Sequence, residues 1–156
     1  MNGREALEKR VKCSVAAVVR RPDGSGEFLA VRRPLDDREL PGVWGLPAVT
    51  LREGELPEAA LRRLGREKLA TGLAAERFIG IKAADRGDYL LVLMDLEARI
   101  EEGEPSVDAA RTSGTAYIDQ RWTADPGLLR EAASRGSVCS RILLDSEGVP
   151  YPRLQP

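Results

Sequence analysis

The apolar positions of this chain fall into short runs rich in Val, Ala and Leu, separated by Gly, Pro and charged residues. Val11 to Arg20 clusters the β-branched residues Val15, Val18 and Val19 and reads as a strand. Arg21-Pro22-Asp23-Gly24-Ser25-Gly26 is a strong turn signal, and Phe28 to Val31 reads as the return strand, so residues 11–33 are expected to form a hairpin. Prolines and glycines break up Pro34 to Gly45, and Leu46 to Leu51 holds a short strand. Glu55 to Thr71 is the best helix: Pro57 suits a first turn that needs no amide donor, Glu58 favours its positive end, and Gly72 suits the C-terminal cap. Gly65 inside it costs about 1 kcal/mol against Ala. Phe78 to Ala83 and Tyr89 to Ile100 read as strands joined at Arg86-Gly87-Asp88. Glu101 to Ser113 reads as an acidic loop and Thr115 to Asp119 as a short strand. A helix capped by Asp125-Pro126 is expected to reach Ser134, another runs from Val138 to Leu144, and an extended tail follows. Strands outnumber helices without alternating regularly with them, an α+β pattern rather than a doubly wound one.

Composition narrows the chemistry. The 156 residues suit one domain, and 42% hydrophobic residues are enough for a core; with only 4% aromatics that core must be aliphatic. There are 24 basic and 25 acidic residues, so the chain lacks the basic excess of a phosphate-gripping nucleic-acid binder. No histidine is present, which excludes Ser-His-Asp and Cys-His catalysis and His-ligated metals. Acid–base work is left to carboxylates, Lys, Tyr, Cys or metal-bound water. The longest apolar run, Tyr89 to Met94, is far short of the roughly 20 residues of a membrane helix, and Met1 to Arg10 is charged. A cytoplasmic protein is expected, with no membrane partner and with Cys13 and Cys139 as reduced, buried thiols.

The stretch that carries chemistry is Trp44-Gly45-Leu46-Pro47, then Gly54-Glu55, Pro57, Ala59-Ala60 and Arg62-Arg63. It resembles the Nudix hydrolases, whose box runs G-x5-E-x7-R-E-U-x-E-E-x-G-U. Leu29-Ala30-Val31-Arg32-Arg33 is similar to the family's strand before the box, and Tyr117-Ile118-Asp119 with Trp122 to a late strand. With Glu55 on the first box glutamate, Arg63 takes the box arginine and Glu67 the first of the glutamate pair. Leu64 and Lys68 then stand where the family has glutamates. Val49 takes the opening glycine, with Ala48 before it, and Ala70 takes the closing one. A register using Arg66-Glu67 as the box Arg-Glu needs a three-residue insertion.

The resemblance implies a Nudix-like α/β/α sandwich with a mixed β-sheet, formed by residues 1–122, with a C-terminal helical extension, 123–156, packed on the same domain. It implies a small nucleotide-type substrate, a nucleoside diphosphate linked to another moiety, and no nucleic acid; relatives are commonly homodimers. Mg2+ would be held through Glu55 and Glu67, Arg63 would orient a carboxylate, Arg32 or Arg33 would hold phosphate, and Trp44 would stack on a base. Mg2+ is a hard ion that wants several oxygen ligands, and Glu67 beside Lys68 nearly cancels in charge. The ion is therefore expected to bind weakly or not at all, with Lys68 as a fixed cation in its place. Two functions stay open: Mg2+-dependent hydrolysis, with added ligands from Glu101, Glu102 or Glu104, and a catalytically silent domain that binds a nucleotide-type ligand or a protein partner. Each residue also has a plainer reading: Glu55 as a helix start, Arg63 and Glu67 as an ion pair four residues apart, Arg32 and Arg33 as a solvated strand end, Trp44 as packing, the acidic run as a loop.

Overall fold

β1 (Arg10–Val19) alternates its buried residues between two faces, and both faces are covered by helices. The computed structural model describes residues 9–111 and 117–153. β1 pairs antiparallel with β4 (Ala48–Thr50) on one edge and parallel with β6 (Tyr89–Glu102) on the other. β5 (Gly72–Asp85) completes a mixed sheet of order β4-β1-β6-β5. A second sheet, order β3-β2-β7, is built from β3 (Trp44–Gly45), β2 (Phe28–Arg32) and β7 (Asp119–Thr123).

The expected hairpin over residues 11–33 is therefore not formed. The two strands meet only at a single bridge, Arg20 to Phe28. Both edges of β1 are already taken by β4 and β6, so β2 leaves the turn to form the centre of the other sheet. The strand expected at Phe78 to Ala83 is much longer, since its pairing with β6 extends from Gly72 to Asp85. Part of the strand expected at Thr115 to Asp119 lies outside the described residues; the observed strand starts at Asp119 and pairs with β2.

α1 (Pro57–Leu69) opens with proline at its start and Glu58 in its first turn, as the sequence predicts. It covers one face of the sheets, where Leu61, Leu64 and Leu69 join Ala17, Val19, Leu29 and Leu73 in one apolar cluster. A 3-10 turn (Pro126–Leu129), α2 (Arg130–Ser134) and α3 (Val138–Ser146) cover the opposite face, where Ile142 and Leu143 pack with Ala16, Val18, Phe28 and Leu93. The layers are helix, sheet, helix. Among the described residues no helix is long and apolar enough to cross a membrane.

Two features of α1 differ from expectation. Gly65 is not a tolerated weakness: a Cβ there would lie 2.7 Å from Thr71 O and 2.8 Å from Leu73 Cγ, so glycine is what lets the helix approach the start of β5. The helix ends at Ala70, not at Gly72; Ala70 adopts φ 51°, and the Thr71 amide donates to Gly65 O at 3.0 Å. Burial of Leu69 before the turn and Leu73 after it forces the chain to reverse here. An L-residue in this region is strained by its Cβ. Ala70→Gly is therefore expected to stabilise the protein by roughly 0.5–1 kcal/mol after the entropy of the freer unfolded chain is subtracted. The check is a higher urea midpoint with unchanged slope; a lower midpoint would show that the turn is unstrained.

Cys139 is buried as expected, but Cys13 is exposed. The first four residues of β1 extend past the covering helices, so a thiol at position 13 reaches solvent.

Candidate functional site

The turn before α1 is closed by its own backbone and side chain. Glu55 N–H donates to Arg52 O at 3.0 Å, and Arg52 N–H returns a bond to Glu55 Oε1 at 2.9 Å. Gly54 between them holds φ +74°, a conformation glycine adopts without strain. The Glu55 carboxylate also receives a bidentate Arg63 guanidinium, Nε at 3.0 Å and Nη2 at 2.9 Å. This arginine, nearly buried, also donates from Nη2 to Thr50 O at 2.7 Å. The guanidinium and the Arg52 amide hold the Glu55 carboxyl down at about 2. Both Glu55 oxygens are thus spent on a latch tying loop, helix and β4 together.

Glu67, one turn after Arg63, is looser. Its Oε1 lies 3.4 Å from Arg52 Nη2 and 3.8 Å from Arg63 Nη1, and its side chain is 41% exposed. Leu64 is fully buried and offers no ligand. Lys68 turns toward β4, where its ammonium donates to Ala48 O at 2.8 Å and lies 5.6 Å from the centre of the Tyr117 ring. Residues 48 and 50 of β4 point their carbonyls away from β1, so Lys68 and Arg63 together satisfy the outer edge of this strand. Burial pushes the Lys68 ammonium down, and the positive charges of Arg63 and Arg33 push the same way.

Lys68 also lines a cavity of about 910 Å3, in the range of small-molecule sites. Arg33, Trp44 and Tyr117 share its wall. The far side comes from α2, α3 and the loop between them, through Ala132, Arg135, Ser137 and Cys139, so the C-terminal segment is part of the cavity and not an appendage. The Tyr117 hydroxyl accepts from Ala48 N–H at 3.0 Å, and burial pushes it up to about 12, so it stays a neutral phenol.

The expected site residues therefore separate into two groups. Glu55, Arg63 and Glu67 come together in the latch, outside the cavity lining; Arg33 and Trp44 come together in the cavity with Lys68. Arg32 joins neither, because successive residues of an extended chain face opposite ways. Its Nε donates to Gly42 O at 2.9 Å, pinning the loop from Pro34 to Gly42. Arg33 leans on Asp37 at 3.6 Å. Glu101 is engaged by Arg62 and Arg99, at 3.4 and 3.3 Å, and lines with Glu102 a separate cleft on the other side of α1. Glu104 is exposed. Among the described residues no group of three or more His, Cys, Asp or Glu is placed to hold a metal ion.

Sequence reasoning gave no site role to Tyr117, Cys139 or Asp95. Asp95 sits in β6 at 0% exposure, on the same face as Leu93 and beneath α3; neither carboxylate oxygen has a hydrogen-bond partner among the described residues. A signal was present: the residue is an acid at an inward position of a central apolar strand.

Comparisons with known proteins agree with the architecture. The family model of the NUDIX domain matches residues 12–88. No curated protein matches the chain in sequence. A NUDIX hydrolase of Nitrosomonas europaea is similar in structure with a TM-score of 0.68 at 20% identity, covering 94% of this chain and 97% of its own. The ORF135 protein of E. coli gives a TM-score of 0.64 at 18% identity, with 91% of each chain covered. The MutT protein of Methanosarcina mazei Go1 gives 0.60 at 17% identity, covering 91% of this chain and 96% of its own. With the helix–sheet–helix layers, the Gly54-Glu55 turn latched to Arg63 and the domain match on the same residues, this chain has the Nudix fold and carries a Nudix domain match over residues 12–88.

Proposed function

We propose that this protein binds a nucleotide-type ligand, a nucleoside diphosphate linked to another moiety, in the 910 Å3 cavity, and does not cleave it through the Nudix box. The observation that carries this reading is the state of the box. Glu55 and Arg63, which hold the loop and helix in shape, are kept and fully engaged with each other. The positions that would supply further carboxylates are a buried leucine and a lysine bonded to a backbone carbonyl.

Nudix hydrolases in general use divalent metal ions. The donor set here does not fit one: Mg2+ wants near-octahedral oxygen coordination and retains few bonds to a site that is itself cationic. Among the family's glutamate positions Glu67 alone has spare acceptor capacity, and Arg52, Arg63 and Lys68 surround it with positive charge. Binding asks less of the fold. Arg33 offers a guanidinium for phosphate, and Trp44 on the cavity wall offers a face for a base. In this reading the C-terminal extension closes the back wall of the ligand domain through Ala132 to Cys139.

Metal-dependent hydrolysis is the second reading, favoured by the exposure of Glu67, which leaves one carboxylate open to a cation. The discriminating experiment incubates the protein with a panel of nucleoside diphosphate sugars and dinucleotides, with Mg2+ or Mn2+, and follows both binding and release of phosphomonoesters. Binding without turnover is expected, and Leu64→Glu combined with Lys68→Glu should then gain metal binding. Turnover by the natural protein that Glu67→Gln abolishes would establish the hydrolase reading instead.

A further inference from the structure

Resting on that binding reading, we infer that Lys68 itself supplies the positive charge on which the diphosphate of the ligand docks, so that ligand binding needs no divalent metal. The cavity wall carries several cations, and most are already committed. Arg33 faces Asp37 at 3.6 Å, Arg135 faces Glu131 at 3.6 Å, and Arg86 donates to Gly136 O at 3.0 Å. Lys12 lies over the Tyr89 ring, 5.2 Å from its centre. Lys68 differs from the exposed Lys12, Arg38, Arg86 and Arg135 of the same wall in being partly buried, and among the described residues no carboxylate lies within ion-pair distance of it.

An ammonium held out of water without a counter-ion is costly unless an anion completes its surroundings. Ala48 O takes one of its three N–H donors. The Tyr117 ring flanks it, which favours a cation but leaves the charge uncancelled. Two donors remain. The neighbouring Arg33, on the same wall and held by Asp37 through Nη1 only, adds a guanidinium whose other N–H groups can meet a phosphate. A diphosphate fits this pair better than a single carboxylate, because its two phosphoryl groups can engage an ammonium and a guanidinium at once. The surplus charge sits on the side chain, so no ion has to be recruited before the ligand binds.

The test is calorimetric titration of the full chain with ADP and with inorganic pyrophosphate, each in excess EDTA and in excess Mg2+. The same affinity in both buffers is expected. Lys68→Met should weaken binding by about tenfold or more, as loss of a charged hydrogen bond does, Lys68→Arg should retain most of it, and Lys68→Glu should bind only when Mg2+ is present. Binding by the natural protein that requires Mg2+ overturns the inference and leaves the binding reading intact. So does unchanged affinity in Lys68→Met. The comparison of buffers uses no variant, so it decides even if Lys68→Met fails to fold. No binding of either ligand in either buffer, with the nucleotide panel also silent, overturns the binding reading together with this one.

Discussion

Leu64→Ala is expected to lower the free energy of unfolding by roughly 2–5 kcal/mol, out of a total that for domains of this kind is about 5–15 kcal/mol. The residue is fully buried in the cluster between α1 and the sheets, against Leu61, Leu69 and Leu73. Removing its branched end leaves a void that cannot collapse easily, because Gly65 already brings the helix into contact with Thr71 and Leu73. The check is a urea titration beside Leu35→Ala, whose side chain is exposed and whose loss should cost under about 0.5 kcal/mol. Equal costs for the two would place position 64 outside the core and undo the assignment of the box. The same burial explains why leucine cannot be exchanged singly for the family's glutamate: Leu64→Glu would put a carboxylate among leucines with no partner. A repaired box therefore needs a bound metal to be stable, and the double variant with Lys68→Glu should gain stability when Mg2+ is added.

The second large effect concerns Asp95. Burial without a hydrogen-bond partner raises its carboxyl well above the usual aspartate range. The nearest titratable neighbour from α3 is Cys139, whose thiol is pushed up chiefly by burial and further by Asp95. In the unfolded chain an aspartate titrates near 3.9. Above that pH folding takes up a proton, so the contribution of Asp95 is fully present below about pH 4 and is lost as pH rises, by up to about 1.4 kcal/mol per unit, until the folded-state value is passed. Glu55 has the opposite sign: its carboxyl is held at about 2, so its latch contributes at neutral pH and is lost as pH falls toward 2. Asp95→Asn removes only the first dependence. The variant is expected to be more stable than the natural protein at pH 7, with the difference shrinking toward pH 4. Parallel denaturation curves across that range measure it; a difference that is flat with pH would mean that Asp95 is ionised in the fold and has found a partner.

The box separates two jobs that its residues share in the family pattern, holding a shape and doing chemistry. Gly54, Glu55 and Arg63 hold the shape through short-range bonds within a single turn and helix. Leu64 and Lys68 turn the same helix face into core packing and a bond to the strand edge. The Nudix fold is thus kept with a leucine and a lysine at two positions where the family pattern has glutamates.

Much of this was legible in the residues alone. β-branched clusters and turn residues marked β1 and β2, and Pro57 and Glu58 marked the start of α1. These depend on interactions within a few residues, which period and punctuation encode. Partners far apart in the chain were decided only by the folded structure. Whether β2 would pair with β1 depended on β4 and β6 claiming both edges of β1 first. The helix ended at Ala70, against its own propensity, because Leu69 and Leu73 had to be buried on either side of the turn. Arg32 and Arg33 look alike in sequence, yet the alternation of an extended chain turned one to the Gly42 carbonyl and the other to the cavity. Lys68 found its carbonyl 20 residues back, and Asp95 was enclosed beneath a helix more than 40 residues later. No local pattern encodes such contacts, since they arise from how the layers close over one another.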